Sequence, residues 1–278
     1  MVAERLPPGL YIVATPIGNL GDLSPRAAET LSRADLVLAE DKRVSAKLLA
    51  HAGAKAPMAT YHDHSSEAER EAVVARLGNE AIALISDAGT PLISDPGYKL
   101  VRAARTAGHP VFTIPGPSAL IAALTLAGLP TDRFLFAGFL PSKAKARSAA
   151  IAELAGVRAT LIFYESGPRL ADTLVALRDE LGERDGAVVR EISKLHEECL
   201  TGSLGELADR YGSHAPKGEI VILVGPPRAS ADASDEELNA ALDDALETMS
   251  PSRAAADVAA RLNVPRKRAY ARALERSK

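Results

Sequence analysis

Four short clusters carry side chains able to bind or move charge: Glu40-Asp41-Lys42-Arg43, His62-Asp63-His64, Ser86-Asp87-Ala88-Gly89-Thr90-Pro91 and Glu165-Ser166-Gly167-Pro168-Arg169. Carboxylates and imidazoles accept protons, while small residues and glycine let the backbone approach a ligand. Two further stretches, Thr15-Pro16-Ile17-Gly18-Asn19-Leu20-Gly21-Asp22 and Pro115-Gly116-Pro117-Ser118-Ala119, offer backbone more than side chains. Asp87 through Thr90 reads as pocket wall, the alternative for Asp87 being a helix cap. His62 and His64, two apart on an extended segment, could face one way toward a metal, but no convincing third ligand accompanies them and no metal is expected.

Every cluster follows a compact apolar run. Leu10 to Ala14, Asp35 to Ala39, Met58 to Tyr61, Ile82 to Ile85 and Val111 to Ile114 read as strands, separated by stretches of helical character such as the one opened by Ser24-Pro25 and running to about Arg33. Pro96 to Ala107 reads as another, stopped by Gly108. Strands alternating with helices at this spacing predict a parallel sheet covered on both faces, with ligands at the carboxyl ends of its strands.

After Gly128-Leu129-Pro130 the pattern changes. Phe134 to Phe139, Thr160 to Tyr164, Ala187 to Glu191 and Glu219 to Val224 read as strands of a second α/β unit, and Pro141 to Arg147 as a mobile basic loop. Arg228 to Asp235 reads as a linker. Beyond it, Ser234 with Glu237 forms a capping box, Leu238, Leu242 and Leu246 make an apolar stripe, and a second helix from Ser250-Pro251 buries Ala254, Val258 and Leu262. Asn263-Val264-Pro265 turns into a third helix with Arg266, Lys267, Arg268 and Arg272 toward solvent and Tyr270 and Leu274 inward. This outline is that of a helix-turn-helix unit, and its basic excess favours nucleic acid. The expected organisation is thus 8–128, 129–228 and 234–278.

The chain has 278 residues, 47% hydrophobic and 25% charged, with a net charge of -3, so any nucleic-acid contact must be local. The single cysteine, Cys199, excludes an intramolecular disulfide and a thiolate zinc cluster. Met1 to Gly9 lacks an apolar core and no run of about 18 uncharged apolar residues occurs, so the expected location is the cytoplasm, with no membrane partner. No Gly-x-Gly-x-x-Gly, Walker A or Gly-x-Ser-x-Gly motif is present, which argues against dinucleotide binding, NTP hydrolysis and serine hydrolysis.

Seven strings occur in one order: Thr15 to Asp22, Ala39 to Arg43, Tyr61 to His64, Ser86 to Pro91, Ile114 to Ala119, Phe163-Tyr164-Glu165-Ser166 and Lys194-Leu195-His196-Glu197-Glu198. Together they resemble the ribosomal RNA small subunit methyltransferase I family, within the tetrapyrrole methylase superfamily, over roughly residues 8 to 227 and in outline to the C-terminal helices. Three departures from the family's usual residues occur: Lys42 for Thr, Asp63 for Glu, and Gly167-Pro168 for Pro-His.

The resemblance implies two consecutive α/β domains of the tetrapyrrole methylase type, a cofactor cleft between them, a small all-helical C-terminal unit, and a homodimer. It implies S-adenosylmethionine as cofactor and 2'-O-methylation of a cytidine in the decoding region of 16S ribosomal RNA, as free RNA or the 30S subunit. Pro16, Gly18, Asp87, Thr90, Ser118 and Ala119 would line the cofactor pocket from the first domain, and Tyr164, Glu165, Ala215 and Gly218 from the second. Asp41, His62, Glu165 and Lys194 are the candidate bases, which sequence does not rank. Arg43, Lys143, Lys145 and Arg147 are expected to contact RNA phosphates, with Arg266, Lys267 and Arg268 gripping farther away. A tetrapyrrole C-methyltransferase and a non-catalytic RNA-binding assembly protein remain the alternatives.

Overall fold

The computed structural model describes residues 5–62, 65–212, 215–227, 234–262 and 264–277. The first half alternates strand and helix: β1 (Gly9–Val13), α1 (Pro25–Arg33), β2 (Leu36–Ala39), α2 (Lys42–His51), β3 (Met58–Thr60), α3 (Glu67–Arg76), β4 (Ala81–Leu84), α4 (Tyr98–Thr106), β5 (Val111–Ile114) and α5 (Ala119–Leu126). Ser24 caps α1 by accepting the Ala27 N–H, and Ser66 and Glu69 form a reciprocal capping box on α3. The strands form one parallel sheet in the order β3-β2-β4-β1-β5. Side-chain alternation sorts β1 between two cores. Tyr11 and Val13 pack with Ala27, Leu31, Leu48 and Leu49, while Leu10 and Ile12 pack with Leu77, Leu100 and Ala104.

The second half contains β6 (Phe134–Phe139), α6 (Ala144–Ala152), β7 (Thr160–Ser166), α7 (Leu170–Leu181), β8 (Asp185–Arg190), β9 (Glu198–Ser203), α8 (Leu204–Tyr211) and β10 (Glu219–Val224). Its sheet, β6-β7-β10-β8-β9, is mixed: β6 runs parallel to β7, and every other pairing is antiparallel. The stretch from Lys194 to Thr201, left unassigned by its sequence pattern, contains most of β9. One face of the sheet, including Leu161, Phe163 and Ile222, is covered by α6, α7 and α8.

The other face is covered by α5. Leu120, Ala123 and Leu124 pack with Ile162, Val189, Val221 and Leu223, joined by Ile17 from the loop after β1. The helix that leaves the first sheet therefore completes the core of the second. Its sequence, ALIAALTL, suits the role, because no charged side chain has to be desolvated.

The chain closes with α9 (Asp235–Leu246), α10 (Pro251–Leu262) and α11 (Arg266–Arg276). Leu238, Leu242, Ala254 and Val258 are fully buried in a core of their own. Two expectations about α11 are corrected. Tyr270 and Leu274 are exposed, and the small Ala269 and Ala273 face the core instead. Burial of Ala269 and Ala273 sets this rotation, and it brings basic residues of α11 to aspartates on α9: Asp235 pairs with Arg268 at 2.9 Å and Arg272 at 2.6 Å, and Asp243 pairs with Arg276. Two boundaries also move. The helix expected from Pro96 starts at Tyr98, and the expected loop through Arg147 is helical from Ala144.

The shared core around α5 yields a stability test. Leu124→Ala is expected to cost about 2–5 kcal/mol, read as a lower urea midpoint with an unchanged slope. A midpoint shift within error would show that the helix is not buried against the second sheet.

Candidate functional site

The carboxyl ends of β1, β4 and β5 are tied by backbone. Thr15 N–H donates to the Gly89 carbonyl at 2.8 Å and Gly89 N–H donates to the Thr15 carbonyl at 3.1 Å, while Thr90 Oγ1 donates to the Pro117 carbonyl at 2.9 Å. Gly89 has φ +80°, a conformation that glycine adopts without a Cβ penalty. Just beyond, Leu92 and Ser94 take φ values of 75° and 64°, uncommon for residues with side chains. Backbone held in such regions clusters at functional sites.

Below this loop lies a cavity of about 320 Å³. The first half supplies Ile17, Ala88, Gly89, Thr90, Ser118 and Ala119, and the strained loop adds Ile93, Ser94 and Asp95. The second half supplies Phe139, Tyr164, Ile192, Glu219 and Val221 among others. A mostly apolar hollow with a few convergent polar groups is the usual form of a small-molecule site. Tyr164 anchors its wall: the ring stands edge-on to Phe136 and Phe139, at centroid distances of 4.8 and 5.6 Å. Burial raises its phenol pKa, against the opposing effect of the Leu120 N–H, which bonds the phenol oxygen from the first turn of α5.

Of the expected cofactor residues, Thr90, Ser118, Ala119, Tyr164, Glu165 and Gly218 line this cavity. Pro16, Gly18, Asp87 and Ala215 are not among its lining residues. Asp87 is exposed and accepts the Asp41 N–H at 3.1 Å, so it joins the ends of β4 and β2 instead of walling the pocket. Gly18 has φ +148° and lies under Lys194; a Cβ there would meet the Lys194 side chain at 2.5 Å. The strand-end pattern located the loops, but which of their residues turn inward depends on hydrogen bonds formed across the sheet. Ile93, Ser94 and Asp95 were missed as site residues, although Ser94-Asp95-Pro96-Gly97 has the same small, acidic, turn-rich composition as Ser86 to Pro91.

The four expected bases separate. Asp41 caps α2 and pairs with Arg43 at 3.0 Å, away from the cavity lining; hydrogen bonds from the Arg43 side chain and N–H hold its carboxyl below the ordinary range. His62 is exposed and does not line the cavity, and Asp63 and His64 lie outside the described residues. Glu165 does line it but is buried and engaged: Thr173 Oγ1 donates at 2.7 Å, Ser166 N–H donates at 2.8 Å, and Arg169 Nε stands 3.3 Å away. Lys194 Nζ lies 3.0 Å from Glu191 and 3.3 Å from Glu219. Burial would lower its pKa, but the Glu191 hydrogen bond and the Glu219 charge more than offset it, and the net shift is upward. An ammonium so held is a poor proton acceptor.

Lys194 belongs to a loop that bridges the halves. Ser193 Oγ donates to Asp22, and Glu191 and Ser193 carry φ values of 51° and 64°. Of the expected phosphate contacts, Lys143 and Lys145 are exposed and Arg43 projects from the start of α2. Arg147 is corrected: it is buried, only 8% exposed, and its Nε has no hydrogen-bond partner among the described residues. Arg266 and Lys267 are exposed, whereas Arg268 is paired with Asp235.

Two family models match the chain: tetrapyrrole (corrin/porphyrin) methylases over residues 9–208, and an RsmI C-terminal HTH domain over 232–277. The chain is 57% identical to ribosomal RNA small subunit methyltransferase I of Erythrobacter litoralis, covering 98% of this chain and 97% of the relative. It is 49% identical to the protein of the same name from Mesorhizobium japonicum, covering 98% and 94%. Among solved structures, uroporphyrin-III C-methyl transferase from Thermus thermophilus complexed with S-adenyl homocysteine superposes with a TM-score of 0.53 at 22% identity, over 78% of this chain and 96% of that one.

Gly167 shows how closely the second half's loops abut. A Cβ at Gly167 would stand 1.7 Å from the Pro216 carbonyl oxygen, which is backbone and cannot swing aside. Gly167→Ala is expected to destabilise by about 1–3 kcal/mol, the range for overpacking, and to raise hydrogen exchange in residues 215–219. Wild-type exchange there would rule out this contact.

Proposed function

The chain belongs to the ribosomal RNA small subunit methyltransferase I family, and from that premise we propose that its cleft holds S-adenosylmethionine while a ribose 2'-hydroxyl of small-subunit ribosomal RNA receives the methyl group. The observation that carries this reading is the cavity walled by both halves of the molecule beneath a strained loop. Its donor set fits the cofactor. Apolar side chains of Ile17, Ile192 and Val221 suit the adenosine, the carboxylate of Glu219 suits positive charge, and the hydroxyls of Ser94, Ser118 and Ser166 suit the sugar and carboxylate. The bound cofactor supplies an activated methyl on a sulfonium.

The chain's own residues then have two tasks. Rigid loops must hold the acceptor oxygen in line with the methyl group, and a base must relieve that oxygen of its proton. Asp95 lines the cavity from the strained loop and its charge reaches the Tyr164 phenol; it is the residue we assign to proton removal. Lys194, held cationic, positions the loop over Gly18. Exposed Lys143 and Lys145 on one side and Arg266 and Lys267 on the C-terminal unit would engage RNA phosphates. The C-terminal unit favours RNA over a small tetrapyrrole, which has no need of it. The same reading includes a cytidine in the decoding region as target, a cytoplasmic location, and a homodimer, to which exposed Ile121, Leu126 and Phe134 would contribute apolar surface. Among the described residues no helix is long and apolar enough to cross a membrane.

The reading is tested by methyl transfer from labelled S-adenosylmethionine to small ribosomal subunits that lack the modification. Label is expected on one cytidine 2'-oxygen, and Asp95→Asn is expected to slow transfer by about 10²–10⁴-fold, the usual contribution of a general base, with cofactor binding retained. Absence of label on subunits and on free RNA would send the search to tetrapyrrole acceptors. A pH profile distinguishes the role of Lys194. Its raised pKa means that its contribution is complete below its ordinary value of 10.5 and fades only as pH climbs through the higher folded value. The lowered pKa of Glu191, due first to the Lys194 hydrogen bond, means that its contribution is complete above 4.5 and fades as pH falls through the lower folded value. Lys194→Met is therefore expected to lower transfer by a similar factor across pH 6 to 9 without removing a limb. Loss of a limb would make Lys194 a proton carrier.

A further inference from the structure

A second hollow, of about 310 Å³, lies at the outer edge of the mixed sheet and is lined by Arg190, Arg210, Lys217, Tyr211, Glu198, Leu200 and Pro216. Unlike the cofactor cavity it is strongly basic, with three cationic side chains against one carboxylate. That carboxylate is already engaged, since Glu198 Oε2 pairs with Arg190 Nε at 2.5 Å. The excess positive charge therefore comes from Arg210 and Lys217.

Tyr211 supplies an independent sign of a ligand. It is 7% exposed, and its hydroxyl is buried with no hydrogen-bond partner among the described residues. Leaving a buried hydroxyl unmade is costly, so such a group calls for a partner brought from outside. Burial and then the Glu198 carboxylate raise the phenol's pKa, while Arg190 and Arg210 oppose them, which places its oxygen within reach of all three charges. Guanidinium, ammonium and phenol donors converging on one hollow match the several acceptor oxygens of a phosphate.

We propose that this hollow is a phosphate-binding subsite, occupied either by a backbone phosphodiester of bound RNA or by free phosphate. Its place supports the first source. Lys217 is followed by Gly218, which lines the cofactor cavity, so a single chain segment separates the two hollows. An RNA strand whose ribose enters the cavity would have a neighbouring phosphate near this edge. That version rests on the RNA reading above, whereas the site's affinity for phosphate does not.

The test compares the full-length wild type with Arg210→Gln/Lys217→Gln and with Tyr211→Phe, which keeps the ring and removes only the hydroxyl. Three titrations are made: small-subunit ribosomal RNA by filter binding over a range of salt, inorganic phosphate by phosphorus NMR, and S-adenosylmethionine by calorimetry. The double variant is expected to bind RNA about tenfold more weakly, with a log–log salt slope shallower by about 0.7–0.9 for one lost phosphate contact. Tyr211→Phe is expected to lose about three- to tenfold, as for one hydrogen bond. Cofactor affinity is expected to stay unchanged in both. Phosphate binding lost in the variants while RNA affinity holds would assign the site to free phosphate and overturn the RNA source. Variants that match wild type in both titrations would overturn the subsite. A wild type that binds no RNA would instead count against the RNA reading, and the phosphate titration would still decide the hollow.

Discussion

The architecture depends on one apolar helix serving two sheets. α5 starts at the carboxyl edge of the parallel sheet, directly after β5, and buries Leu120, Ala123 and Leu124 against the mixed sheet. Because a helix cannot slide on a close-packed face without opening voids, this contact fixes the edge of the first sheet against the face of the second. The cavity is the space left where the two meet. Tyr164 makes the geometry explicit, since it lines the cavity from the second sheet while its oxygen receives the first-turn N–H of α5.

That constraint explains where strain is tolerated. The described residues with side chains and positive φ are Leu92, Ser94, Glu191 and Ser193, which form two pairs, each flanking an isoleucine that lines the cavity. The first pair flanks Ile93 and precedes Asp95; the second flanks Ile192 and precedes Lys194. Each pair turns an isoleucine into the cavity, and each is held by neighbours that determine its conformation: Gly138 packs close to Ser94, and Ser193 bonds to Asp22. Strain of about 1–3 kcal/mol per residue persists only where surroundings impose it, and here those surroundings come from both halves.

Much of this was legible from local pattern. Apolar runs ending in small or charged residues marked the strands and their loops, because burial on both faces of a parallel sheet demands continuous hydrophobicity while its carboxyl edge does not. Thr90 was read as pocket wall in that way, whereas Ser118 and Ala119 came as cofactor residues through the family resemblance; all three line the cavity. Asp87 was misplaced for a physical reason: its composition could equally serve a ligand, a helix cap or a neighbouring loop, and the Asp41 N–H belongs to the N-cap of α2, 46 residues away in sequence. Arg147 and Tyr270 fail similarly. A basic residue near a loop and an aromatic on a helix take their exposure from helix phase, which is set by Ile151 on α6 and by Ala269 and Ala273 on α11.

The ion pairs of α11 also alter how the basic C-terminal unit can work. Arg268, Arg272 and Arg276 hold α11 to α9 through Asp235 and Asp243, so much of the charge that reads as a polyanion-binding face is spent inside the unit. Releasing any of them for a phosphate would cost a structural pair as well as desolvation. Uncommitted attraction is therefore distributed in small groups: Lys143 and Lys145 beside β6, Arg266 and Lys267 at the start of α11, and the Arg210–Lys217 edge. With a net charge of -3, the chain as a whole provides little long-range pull. Separate small contacts favour a partner whose phosphates match their spacing, which is a structured RNA surface instead of any polyanion. On the proposed RNA contacts, selectivity would arise before the chemistry, from the requirement that several weak contacts be satisfied at once while one ribose reaches the cleft.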